Sequence, residues 1–103
     1  MKTAKPRFAK IYYADGRIED ITPAPRKKIP FSKLREVVGG LVQFVPMPHG
    51  CSLVCNDEGK LIGLPKNENA TALWMQEYPI EKYPLNNDEL IVGDVLYLTN
   101  GTV

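Results

Sequence analysis

The stretch Gly63-Leu64-Pro65-Lys66-Asn67-Glu68-Asn69-Ala70 carries the residue types best spaced for chemistry. An apolar strand pattern ends at Gly63, a tight loop brings Lys66, and a helix pattern begins after Asn67. The first N–H groups of a helix have no partner within it, and the helix dipole adds partial positive charge, so such a junction suits an anion or a phosphate. Lys66 supplies a cation, Asn67 and Asn69 supply side-chain donors, and Trp74 offers an aromatic face for a base. Gly63, Lys66, Asn67, Asn69 and Trp74 are therefore the candidate ligand-binding residues. The same positions also have a plain structural role: Asn67 caps the helix, Lys66 stands in water and Trp74 fills the core. Neither Gly-x-x-x-x-Gly-Lys-Ser/Thr nor Gly-x-Gly-x-x-Gly occurs, so no named nucleotide fold is implied.

Other reactive side chains point away from catalysis. Cys51 and Cys55 stand four apart in a strand pattern, roughly 13 Å from each other, too far for a disulfide. Both read as core thiols, which behave as small hydrophobes. His49 is the only histidine and sits in a Pro-Met-Pro-His-Gly loop, which argues against a zinc site or a histidine triad. Asp57-Glu58 and Asp88-Glu89 fall in turns, with no carboxylate pair at helical spacing beside a metal ligand. The expectation is a chain without enzyme activity, metal or cofactor. Phe8, Lys10 and Tyr12 share one side of the first strand, a pattern that resembles a single-strand nucleic-acid face.

The elements that must position these residues follow from pattern. At 103 residues and 44% hydrophobic, the chain is expected to form a single domain. Residues 7–13 and 17–22 read as strands around Asp15-Gly16, a strong hairpin signal because glycine supplies the positive φ of a tight turn. Residues 23–30 read as an exposed basic and proline-rich connector, and residues 1–6 as a flexible end. Ser32 is expected to cap a short helix over residues 33–38, closed by Gly39-Gly40. Residues 41–45, 51–55 and 60–64 read as strands, residues 68–77 as a second helix, and residues 90–92 and 95–98 as closing strand material. A polar connector over residues 78–89 contains Pro79, Pro84 and Asn86-Asn87-Asp88. The expected class is α+β: a small, mostly antiparallel sheet with two short helices packed on it.

Charge is split along the chain. Residues 1–35 hold ten Lys/Arg against three acids, and residues 36–103 hold three against nine. Such a split fits a nucleic-acid arm or a self-complementary surface between subunits. No apolar run approaches the ~20 residues of a membrane span, and the basic N-terminus lacks the apolar stretch of a secretory signal. A cytoplasmic protein without a membrane partner is expected.

Four motifs in order carry a resemblance: Val38-Gly39-Gly40-Leu41 with the strand after it, Asn56-Asp57-Glu58-Gly59-Lys60-Leu61, Gly63-Leu64-Pro65-x-Asn67-x-x-Ala70-Thr71, and Ile91-Val92-Gly93-Asp94-Val95. Over about residues 34–98 the chain resembles a small domain-of-unknown-function family encoded by bacteriophages, prophages and mobile elements. The resemblance supplies a fold and a genomic setting but no reaction. It implies an accessory protein of the host cytoplasm that binds and sequesters a small nucleotide signal of host immunity, acting as a homo-oligomer. Gly63, Lys66, Asn67 and Asn69, with Trp74, would hold the ligand. The alternatives are a module that inhibits a host defence enzyme by protein contact, and a nucleic-acid-binding accessory protein that uses the basic N-terminal third.

Overall fold

A computed structural model describes residues 7–24, 26–77 and 91–103. The elements are β1 (Ala9–Tyr12), β2 (Ile18–Asp20), α1 (Phe31–Val38), β3 (Val42–Met47), β4 (Cys51–Asn56), α2 (Glu68–Glu77) and β5 (Val95–Thr99). The five strands form one sheet in the order β2-β1-β5-β4-β3, with every neighbour antiparallel. The fold is α+β, with both helices packed on the sheet.

Alternation along the strands divides the interior in two, because successive side chains point to opposite faces. Ala9, Ile11, Val54, Leu96 and Leu98 face one side, where Leu34 and Val38 of α1 cover them. Cys51, Leu53, Cys55 and Val95 face the other, where Ala70, Leu73 and Trp74 of α2 pack. The two helices therefore lie on opposite faces of the sheet.

Local sequence explains most boundaries. The β1–β2 hairpin turns through Asp15-Gly16, with the Gly16 N–H donating to Tyr13 O at 3.0 Å and Gly16 at φ 100°. Helix α1 ends as expected: Gly39 adopts the left-handed conformation and its N–H donates to Arg35 O. Its start differs from the expectation. Pro30, not Ser32, occupies the cap position, and no side chain caps the first turn. The fixed φ of proline already presets the entry to a helix, so Ser32 falls inside the first turn. In the connector Arg26, Lys27 and Lys28 are exposed, whereas Ile29 is buried and ties the segment to the α1 side of the core.

The expected strand over residues 60–64 is absent. Residues 60–64 form consecutive turns, with the Gly59 N–H donating to Asn56 O and the Leu64 N–H to Gly59 O. The physical reason is that β4 already has β3 on one edge and β5 on the other, so the segment that follows cannot turn back and pair with it as a hairpin. Leu61 and Ile62 consequently point outward, 85% and 58% exposed. Of the strand expected over residues 90–92, the described part, Ile91 and Val92, makes one antiparallel bridge, between Lys66 and Val92. On edge strand β3, the Asp57 N–H donates to Leu41 O, so the residues bonded to β4 are Leu41 and every second one after it. Pro46 falls among the others, whose nitrogens face away from β4, and its missing N–H removes nothing from the ladder. The expectations for residues 1–6 and for the 78–89 connector lie outside the described residues.

Candidate functional site

Asn67 is the organising residue of the loop-to-helix junction. It is fully buried. Its Oδ1 accepts from the Ala70 N–H at 3.0 Å, the capping bond expected from the sequence. Its Nδ2 donates to Tyr12 O at 2.7 Å and to Gly93 O at 2.8 Å, and its backbone N–H donates to Ile91 O at 2.8 Å. One amide thus joins the start of α2 to the end of β1 and to the turn before β5. Thr71 repeats the device one helical turn later: its hydroxyl accepts from the Ile91 N–H at 3.0 Å and donates to Ile91 O at 3.2 Å.

The other junction residues are turned to different tasks. Lys66 Nζ lies 3.5 Å from the carboxylate of Glu68, which occupies the first turn of α2. The negative charge that a helix N-terminus favours is therefore supplied by the chain itself. Asn69 is exposed and donates to Gly16 O at 3.1 Å, fastening α2 to the β1–β2 hairpin. Gly63 sits in an exposed turn at φ 75°. Gly63, Lys66, Asn67 and Asn69 are not among the residues lining the cavity that holds Trp74.

Trp74 does line a cavity, of about 310 Å³, between the α2 side of β3 and β4 and the turn after β4. Gln43 and Val45 of β3 and Cys55 of β4 form its floor, and Asp57 and Lys60 come from the turn. Ile91 and Val92 close the side toward β5. Burial pushes the Cys55 thiol up to about 12, which keeps it protonated and a poor nucleophile at neutral pH. Three of these residues, Gln43, Asp57 and Lys60, were not among the ligand-binding residues expected from the sequence. The available signal was Gln43 itself, a polar residue sharing the inward side of β3 with Val45 and Met47.

A family model for a domain of unknown function, DUF3846, matches residues 15–102. The chain belongs to this family. The match covers the junction, the cavity and both helices. No curated protein and no solved structure matches the chain.

Within this DUF3846 domain, two motif glycines stand at close approaches to neighbouring side chains. A Cβ on Gly59 would lie 2.8 Å from Val92 Cγ2, and one on Gly93 would lie 2.7 Å from Leu64 Cδ1, with Gly93 also at φ 76°. The Asn56-x-x-Gly59, Gly63-Leu64-Pro65-x-Asn67 and Ile91-Val92-Gly93 motifs therefore meet in one packed corner beside the cavity. Asn56 completes it, donating to Val38 O at 3.0 Å and accepting from the Glu58 N–H at 2.8 Å.

Phe8, Tyr12 and Tyr97 gather on the α2 side of β1 and β5, with ring centroids 5.0 Å apart for Phe8–Tyr97 and 6.2 Å for Tyr12–Tyr97. Lys10 pairs with Tyr97 across the strands and with Asp20 on the other side. Burial and the neighbouring Cys51 thiol raise the Tyr97 hydroxyl to about 12, and the Glu77 carboxylate adds to the rise. Among the described residues, Lys10 on this face stands opposite the carboxylate of Asp20, and the Glu77 carboxylate lies near Tyr97. Among the described residues, no group of three or more His, Cys, Asp or Glu could hold a metal ion. Among the same residues, no helix is long and apolar enough to cross a membrane.

Proposed function

We propose that this domain is a non-enzymatic binder of a small nucleotide, which seats the base in the Trp74 cavity and acts by sequestration. The observation that supports the reading is the cavity itself. At about 310 Å³ it falls within the ~300–1,000 Å³ of small-molecule sites, and it combines apolar walls, one indole and a few polar groups. A base can stack on Trp74 while its edge meets the amide of Gln43 and the carboxylate of Asp57. The protonated Cys55 thiol in the floor agrees with binding without covalent chemistry. The resemblance to phage and mobile-element domains supplies the role, removal of a nucleotide signal of host immunity within the host cytoplasm. Assembly as a homo-oligomer belongs to the same reading, with the open β3 edge and the exposed Phe44 and Leu41 as the place of contact.

A second reading, a module that inhibits a host enzyme by protein contact, draws support from Leu61 and Ile62, adjacent apolar residues exposed on the turn beside the cavity. A thermal-shift screen of nucleotides separates the two. Ligand at about 100 times its Kd adds ~2.7 kcal/mol, which raises the Tm of a domain this size by roughly 10–20 °C. A silent screen together with a stable complex captured from host lysate refutes the nucleotide reading.

A further inference from the structure

We infer that the cavity recognises its ligand through the nucleobase alone and leaves the phosphates in solvent, so that a nucleoside binds as well as its phosphorylated forms. The inference rests on the nucleotide reading above and narrows it. Its first ground is charge. Among the described residues, the cavity wall brings one carboxylate, Asp57, and one ammonium, Lys60, which together offer a phosphate no net positive charge. The other described lining residues are apolar or uncharged, among them Val45, the Cys55 thiol, Leu61, the Trp74 indole and the Gln43 and Asn56 amides.

The second ground is that the nearest anion-binding feature, the start of α2, already carries a carboxylate and a side-chain cap of the protein itself. At the start of α2, the Ala70 N–H donates to Asn67 Oδ1 and the Thr71 N–H to Asn67 O. The Glu68 carboxylate stands in that first turn with Lys66 Nζ 3.5 Å away. A phosphate arriving there would have to displace Glu68 from its lysine and would meet its charge at close range. What remains for recognition is flat and uncharged: an indole face for stacking, an amide that both donates and accepts in one plane, and a carboxylate that accepts from ring N–H or exocyclic amino groups. The volume, near the lower end for ligand sites, suits one base with its sugar at the mouth rather than a dinucleotide held whole.

Isothermal titration calorimetry of the full chain tests this. The titrants are purine and pyrimidine nucleosides with their 5′-mono- and triphosphates, each in low and high KCl differing about tenfold in concentration, across which the Debye length shrinks about threefold. The expected result is a Kd for the preferred nucleoside within about threefold of its phosphates and equally insensitive to salt. Gln43→Leu, on an exposed residue of edge strand β3, should weaken nucleoside and nucleotide alike by about tenfold while the melting curve stays in place. Phosphates that bind while nucleosides do not, with affinity falling steeply in salt, would overturn the inference and leave the nucleotide reading standing. Failure of every nucleoside and nucleotide to bind removes both.

Discussion

Replacing Asn67 with alanine should damage the fold, because its amide is part of the architecture. Asn67→Ala deletes three side-chain hydrogen bonds, to the Ala70 N–H and to the carbonyls of Tyr12 and Gly93. Loss of the cap costs about 1 kcal/mol. Each of the two carbonyls left without its donor costs ~1–3 kcal/mol, since the surroundings are buried and water does not replace the amide. The combined loss is about 3–7 kcal/mol from a total of roughly 5–15 kcal/mol for a domain this size. The Tm should fall by roughly 15–30 °C. Urea unfolding of the purified variant, followed by far-UV circular dichroism, measures the loss, with Asn69→Ala as the comparison. Asn69 is exposed and makes a single bond, to Gly16 O, so its removal should cost within about 0.5 kcal/mol. Asn67→Asp sharpens the test: Oδ1 can still cap, but a carboxylate oxygen would face two carbonyls. Its pKa would rise, so the variant would lose stability as pH climbs through the raised value. If Asn67→Ala and Asn69→Ala unfold at the same urea concentration, the assignment of Asn67 as the structural hub is wrong.

Three further outcomes follow from the same geometry. Gly93→Ala and Gly63→Ala both place a side chain at positive φ, but only Gly93 is also crowded, by Leu64. Gly63→Ala should cost about 1 kcal/mol and Gly93→Ala about 2–3 kcal/mol, read from urea midpoints. The Cys55 thiol is raised from its ordinary 9.0 to about 12, so the native state keeps a proton that the unfolded chain loses. Stability should therefore be intact below pH 9 and decline from pH 9 toward 12, by an order of ~3–4 kcal/mol at the top of that window. Cys55→Ala should flatten the decline without abolishing it, because Tyr97 is raised in the same direction. In native protein at neutral pH, Cys55 should resist iodoacetamide until denaturant is added.

Much of the fold was legible because its signals are local. The Asp15-Gly16 hairpin, the Gly39 helix stop and the Asn67 cap each depend on residues within one turn of one another. What local spacing cannot show is where the second half of a polar side chain goes. The Asn67 amide reaches Tyr12 and Gly93, 55 and 26 residues away, and those bonds turn a pattern suited to phosphate into a structural clamp. Residues 60–64 have the composition of a strand but follow a strand whose two edges are both filled, a fact of topology that no window of sequence contains. Trp74 was recognisable as an aromatic beside the junction. Its partners in the cavity come from β3 and the turn after β4, which only the packing of α2 across the sheet brings together.

Trp74 is the only tryptophan in the chain, so its emission reports directly on the cavity. The decisive measurement is a fluorescence titration with the nucleosides and nucleotides, carried out on the native protein and on Lys66→Ala. The account predicts a saturable change in Trp74 emission, with a Kd equal to that from calorimetry and within about twofold of it for Lys66→Ala, whose lysine is salt-bridged outside the cavity. A ligand that binds without altering the emission, or whose binding disappears with Lys66, would contradict the account and move the site to the loop-to-helix junction.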